Sequence, residues 1–552
     1  MGIKRFTADA DTTITNAFGA ALTEASRGTG SNMGASDVLE TFSIYSQGSP
    51  GQYSHASSGS VELSRILIKF PVSDISSSRD SGEIPASGSV SFYARMFNAK
   101  HAFTLPQNAT LRIAAVSQSW DEGTGLDMES YTDATKDLNG TNWINASSAS
   151  SGIDLWANKG GSFHTASSHV HYTASFTNGD EDLEVDITGL VEHWLIGGAN
   201  HNNDGKHNYG IGVYFTSSQE GYFSSSTGAD TGSVLHNTDG AKNSYYTKKF
   251  FSRTSEYFFK RPCIEARWDS TIKDDRGSAY VSSSLVNASG NLNTIYLYNY
   301  VRGQLRNIPD VGQAHPVIFV QFYTSASHGE LMNTDAPYNL RQHSTLGDNP
   351  VGNSQAVTGG YVSTGIYSAS FAINTSASVI YDRWFSGSAG VDIDSATVYY
   401  TGSIKMKQFS SSADTFNPNP SYVTKITNLK STYHKEENAR FRVFIRDRYW
   451  NPNVYTTVVT TVDPVVVEKA YYRIFRTADD LDIFTYGTGS DTKTFPPPSN
   501  LPYTQLSYDS NGNYFDLDMK MLEPDYAYGI KFAYYTNGGY REQPEVFKFR
   551  VE

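Results

Sequence analysis

The run Ser64-Arg65-Ile66-Leu67-Ile68-Lys69-Phe70-Pro71 places Ile66, Ile68 and Phe70 on one face of a strand and Arg65, Leu67 and Lys69 on the other. Pro71 has no backbone donor and ends the run. One wholly apolar face beside a mixed one suits a β-sandwich, with the apolar row turned toward a second sheet. Strand-like runs recur at 91–96, 208–215, 294–298, 317–322, 365–371, 440–446 and 526–532. Turn clusters such as Asn202-Asn203-Asp204-Gly205 and Ser510-Asn511-Gly512-Asn513 lie between such runs. Helical spacing is confined to Ile187–Ile196, where Leu190, Val191, Trp194 and Leu195 form a stripe that Gly197-Gly198 ends. The pattern predicts an all-β chain.

Two polar stretches mark boundaries. One follows Trp268, at 269–277, and reads as a linker; the other is 410–420, with Pro418 and Pro420. They predict three serial β-sandwich domains, at 1–270, 277–410 and 421–552. The second and third, of roughly 130 residues each, are close to the ~100 of an immunoglobulin-like sandwich.

Composition narrows the function classes. The 552 residues include 37 Tyr and 30 Phe, and only 18% are charged, which excludes a disordered chain and fits short strands joined by polar turns. A net charge of −13 argues against a nucleic-acid partner. The single cysteine, Cys263, excludes an intrachain disulfide framework and any multi-cysteine zinc site, and reads as a buried thiol. No apolar run reaches the ~18 residues of a membrane-spanning helix, and Met1–Thr7 lacks the apolar core of an export signal.

Candidate chemistry is sparse. His169 and His171, with His164 nearby, have a spacing that suits a metal on a strand, yet no carboxylate or thiol accompanies them. His201 and His207 flank a turn. Asp121, Glu122 and Asp127 sit in a Gly-containing loop whose oxygens could hold Ca²⁺, as could Asp204 with its asparagines; turn chemistry accounts for both loops equally well. Trp143 and Trp156, with Trp120 and Trp194, form either a glycan-stacking platform or core aromatics. Arg440, Arg442 and Arg446 share one strand face and form either a solvated row or an interface with acidic patches on a partner. Neither a nucleophile elbow nor a phosphate loop or dinucleotide fingerprint occurs, so no catalytic residue and no cofactor is expected.

An ordered set of stretches resembles the DNRLRE-type β-sandwich domain of microbial surface and secreted proteins. It comprises 11–14, 32–39, 64–70, 116–123, Trp143, Trp156 with Gly160-Gly161, 185–194, 208–210 and Arg261-Pro262. Pro71 departs from the Asp usual after the Phe, and 216–250 is a long insertion. The resemblance implies a jelly-roll-like N-terminal domain. The chain also resembles virion structural proteins of marine tailed bacteriophages, on 1–7, 244–251 and 256–269. That likeness implies a non-enzymatic particle component, at the neck or tail exterior or decorating the capsid. Its partners would be other virion proteins and its own copies, and it would assemble in the host cytoplasm. The rival expectation is a carbohydrate-binding or adhesin module that contacts cell-surface glycans.

Overall fold

The computed structural model describes residues 2–18, 27–46, 60–100, 104–126, 140–149, 152–165, 170–196, 207–283, 286–309, 311, 317–324, 338, 340, 356–386, 397–407, 420–450, 454, 464–487, 501–536 and 538–552. Strand accounts for 50% of the chain and helix for 8%, so the fold is all-β, built of serial β-sandwich-like sheets. The chain divides into two compact units, one running from Ile3 to Trp268 and the other taking in Asp269 to Glu552.

The first unit contains β1 (Ile3–Thr7), β2 (Ala10–Thr15), β3 (Val38–Ser46), β4 (Ser60–Lys69), β5 (Val90–Met96), β6 (Ala109–Ala115) and the hairpin β7 (Asn145–Ala149) and β8 (Gly152–Leu155). It continues with β9 (His171–Phe176), β10 (Leu183–Asp186), β11 (Ile211–Phe215), β12 (Tyr245–Phe251) and β13 (Cys263–Trp268). A four-stranded sheet runs β1-β13-β5-β10. A seven-stranded one runs β12-β3-β4-β11-β6-β9, with β2 also on β4. Ile66, Ile68 and Phe70 are fully buried in the main core, packed with Phe92, Ala94, Ile264 and Ala266 of the smaller sheet. Each such burial contributes about 1.5–3 kcal/mol.

The mixed face of β4 is buried too. Leu67 joins Ile14, Val61, Leu63, Val116, Trp120, Trp143, Trp156, Phe223 and Val234 in a second core. Phe223 and Val234 come from the 216–250 insertion, which therefore serves as a cover.

Two α-helices occur among the described residues of this unit. Thr188–Ile196 (α2) forms where the apolar stripe places it, burying Leu190, Val191 and Trp194. The other, α1 (Val72–Asp80), is absent from the sequence reading, because its serine-rich run shows only Ile75 as a buried apolar residue. Pro71 starts this helix: its carbonyl accepts from Asp74 and Ile75. Arg79 then clasps Glu192 of α2 at 2.6 and 2.8 Å.

The second unit opens with β14 (Ala279–Tyr280), β15 (Asn293–Tyr298), the small hairpin β16 (Tyr300–Val301) and β17 (Gln304–Leu305), β18 (Val317–Tyr323), β19 (Ala356–Ser363), β20 (Ile366–Phe371), β21 (Val379–Ser386) and β22 (Thr397–Lys407). Seven of these pair in the order β14-β22-β21-β18-β19-β20-β15. The sheet curls around one core that includes Ile295, Phe322, Phe371, Trp384 and Ile404. Its first and last strands are joined by the Asn293 amide, which accepts from Tyr280 N–H at 2.7 Å and donates to Tyr280 C=O at 2.8 Å.

The remaining strands are β23 (Tyr422–Ile426), β24 (Thr432–Tyr433), β25 (Asn438–Asp447), β26 (Ala470–Arg476), β27 (Leu481–Phe484), β28 (Ser507–Asp509), β29 (Gly512–Asp518), β30 (Ala527–Thr536), β31 (Gly539–Glu542) and β32 (Phe547–Val551). They form a four-stranded sheet, β23-β25-β29-β28, and a six-stranded one, β24-β32-β30-β26-β27 with β31 on β30. Aromatic rings fill the space between these sheets: Phe515 lies 5.0 Å from Phe441 and 4.3 Å from Tyr472, stacked on both. Phe441, Val443 and Ile445 point inward, as their alternation requires.

Residues 269–277 are not a free linker. Lys273 bridges Tyr508 in parallel, Tyr508 N–H donates to Ile272 C=O at 3.0 Å, and Asp274 N–H donates to Tyr508 C=O at 3.1 Å. The segment thus borders the β28 edge of the C-terminal sheet. Residues 408–419, most of the other polar boundary, lie outside the described residues.

Candidate interaction surfaces

Arg65 shows what the second core is for. A guanidinium on the mixed face of β4 would be stranded there without a counter-charge. The insertion supplies one: Glu220 accepts from Arg65 Nε at 2.9 Å and Nη2 at 2.8 Å, and Gly160 C=O accepts from Nη1 at 2.9 Å. Tyr214, Trp143 and Phe163 surround the guanidinium at 4.8, 5.5 and 5.8 Å. Burial works against the Arg65 charge, but Glu220 outweighs it and holds the guanidinium charged.

The same burial answers the tryptophan question. Trp143 is fully buried and Trp156 is 5% exposed, and their indole N–H groups donate to Ser233 C=O at 3.0 Å and Asn142 C=O at 2.9 Å. Trp120 and Trp194 are buried as well. Of the two readings of Trp143 and Trp156, a glycan platform or core aromatics, the burial bears out the second: these rings are core, and they present no face to a sugar.

A second charged cluster covers one face of the four-stranded sheet. Glu265 is 1% exposed and accepts from Arg5 Nε at 2.6 Å, Arg267 Nε at 2.7 Å and Arg95 Nη1 at 3.2 Å. Glu184 takes both terminal nitrogens of Arg267, at 2.9 and 3.0 Å. Burial alone would raise the Glu265 carboxyl, but the three guanidinium groups pull it well below the ordinary carboxylate range. Cys263, on this same strand, is buried, and that burial pushes its thiol up to about 11. Such a thiol is inert.

Of the loop considered for calcium, the described residues include Asp121 and Glu122. Glu122 accepts from Arg253 Nε at 2.6 Å and from Asp11 N–H at 2.8 Å, so a guanidinium already neutralises it. Asp121 is exposed and contributes backbone bonds to Ala146 and Thr141. Asp127 lies outside the described residues, as do Asp204, His169 and His201. His207 stacks on Tyr209 at 5.6 Å, and His171 is half-buried on β9. Among the described residues no three His, Cys, Asp or Glu side chains gather as a metal site. Sequence reading overlooked Asp11: one of its oxygens accepts from Arg253 N–H at 2.6 Å, while the other, Oδ1, is buried without a partner. Burial pushes this carboxyl up to about 7.

In the second unit the arginine row splits. Arg440 grips Asp516 at 2.7 and 3.0 Å, and Arg442 grips Asp509 at 2.7 and 2.8 Å. Both lie over the Tyr514 ring, at 4.5 and 4.7 Å, and Tyr514 hydrogen-bonds to Tyr298 of β15. The acidic partners expected on another subunit are thus found within the chain for these two. Arg446 has no carboxylate partner among the described residues. Close to it the sequence holds a signal that reading strand by strand passes over: Tyr449 and Trp450 stand in a polar turn, 76% and 38% exposed.

No family model matches the chain, and no curated protein does. Among solved structures it is similar to trypsin-activated alpha-2-macroglobulin from Escherichia coli, at 10% identity and a TM-score of 0.15. The match covers 81% of this chain and 29% of that one, so this chain spans less than a third of that protein's length. A score that low carries no argument about fold or function.

Proposed function

We propose that this chain is a non-enzymatic structural component of a tailed-phage virion, placed on the neck or tail exterior or decorating the capsid, and contacting other virion proteins and its own copies. The observation that carries the reading is the 272–274 segment laid along Tyr508. It fastens the seven-stranded sheet to the C-terminal sandwich, as a part that holds its neighbours at fixed spacing requires. Arg65, Arg267 and Glu265 are engaged with one another or with fixed partners, as charges that hold a fold together are.

Mass spectrometry and imaging of purified particles test the proposal. The chain is expected in the virion in several copies related by the particle's symmetry. Its absence from particles defeats the structural role, and release of reducing sugar from any polysaccharide defeats the non-enzymatic one.

A further inference from the structure

We propose that the turn at 446–450 is a binding site for acidic polysaccharide, a polymer whose sugar rings carry carboxylate or sulfate. Six of the seven tryptophans are 9% exposed or less, and Trp450 alone is displayed. Its neighbour Tyr449 is the most exposed tyrosine among the described residues, equalled by no other aromatic there. The display is built in. Asp447 Oδ1 accepts from Tyr449 N–H at 2.7 Å, Trp450 N–H donates to Asp447 C=O at 3.3 Å, and Arg448 N–H donates to Ser421 C=O at 2.8 Å. A turn closed on itself and tied to the start of β23 leaves Tyr449 largely, and Trp450 partly, open to water.

The charges beside the rings set the ligand's sign. Arg440, Arg442, Arg473 and Arg476 of this sandwich all have carboxylates at salt-bridge distance. Arg446, Arg448 and Lys425 have none among the described residues. Val423 is the cross-strand partner of Arg446, so Lys425 stands two positions along the same face of β23. Three cations on the turn and the adjoining strand face, none with a carboxylate partner among the described residues, outnumber the one carboxylate of the turn, Asp447, and in a chain of net charge −13 fit an anionic partner. The two neighbouring aromatics indicate a ligand with flat apolar faces, and sugar rings offer those along with hydroxyls for the guanidinium forks.

The test is calorimetric titration of the full chain with polygalacturonate, dextran sulfate, neutral dextran and single-stranded DNA. The variants are W450A, the double variant R446A/R448A and K425A, each first shown to melt like the parent. Binding of either acidic polymer supports the proposal, provided that it weakens about tenfold or more in W450A and in R446A/R448A and falls as salt rises. Which polymer binds separates carboxylate from sulfate recognition. Failure of both to bind overturns it. So does equal binding of neutral dextran, undiminished binding by W450A, or tighter binding of DNA than of either polysaccharide.

Discussion

The Tyr508 hydroxyl donates to Asp275 Oδ1 at 3.0 Å, joining the edge of the C-terminal sheet to the segment that leads into the curled one. The other oxygen of Asp275 accepts from Thr294 N–H at 2.7 Å, so one carboxylate serves both sheets. Tyr508→Phe removes that hydroxyl and leaves a half-buried carboxylate oxygen short of one donor. A loss of about 0.5–1.5 kcal/mol is expected. Calorimetric scans of the variant should show the 269–552 region melting earlier, or in two steps. A scan indistinguishable from the parent's would show that the bond does not couple the sheets.

Arg65 and Glu220 should behave as a unit. Glu220→Ala leaves a buried guanidinium unpaired, at an expected cost of about 3–5 kcal/mol. The double variant Arg65→Met, Glu220→Leu removes both charges and should recover much of that loss. Urea unfolding of the three proteins measures it, and additive losses would contradict the coupling.

Trp143→Ala is expected to act through packing. The ring is fully buried against the 216–250 cover, so its loss should cost about 3–5 kcal/mol. Polysaccharide binding, in contrast, should not change at temperatures where the variant stays folded. A variant of unaltered stability and altered binding would restore the abandoned platform.

The Asp11 carboxyl gives a pH dependence of definite sign. Its folded value, about 7, lies above the ordinary value of about 4, so between the two the folded state holds a proton that the unfolded chain has released. Its contribution is complete below pH 4 and is lost as pH rises through 7, at up to about 1.4 kcal/mol per pH unit. Asp274, also at about 7, adds the same trend in the second unit. Lys248 works in the opposite sense. Buried, with its ammonium donating to Asn98, Gly179 and Glu181, it is lowered to about 8 and favours the folded state as pH climbs from there toward 10. Denaturant unfolding from pH 4 to 10 should therefore show stability falling toward neutrality, and Asp11→Asn should flatten that fall.

How much of this was legible in the sequence depended on the distance between partners. The inner row Ile66, Ile68, Phe70 and the alternation of Phe441, Val443 and Ile445 are local patterns, and both appear where a period of two places them. Arg65 has its counter-charge 155 positions away in a stretch that reads as an insertion, so nothing near β4 announces that its mixed face is dry. Glu122 and Arg253 are 131 positions apart, which is why a loop carboxylate looks like a calcium ligand until the fold closes. The Arg440 row is intermediate: the row is visible, while its acceptors Asp509 and Asp516 sit on strands whose register only the structure supplies. For α1 the difficulty is composition, since one buried isoleucine among serines leaves no stripe to read.

The Asn293 amide that closes the curled sheet bears on the order in which that sheet can form. The bonds from Asn293 to Tyr280 span only 13 positions, whereas Ala279 meets Met406 more than a hundred positions later. Loop-closure entropy grows with the length enclosed, so the seam is the inexpensive contact and the β22 pairing the expensive one. A ring that begins at its seam keeps β14 in place through the long wait for its parallel neighbour and hides an edge that would otherwise recruit strands from other chains. During synthesis this matters most, because Asn293 leaves the ribosome long before Met406 does.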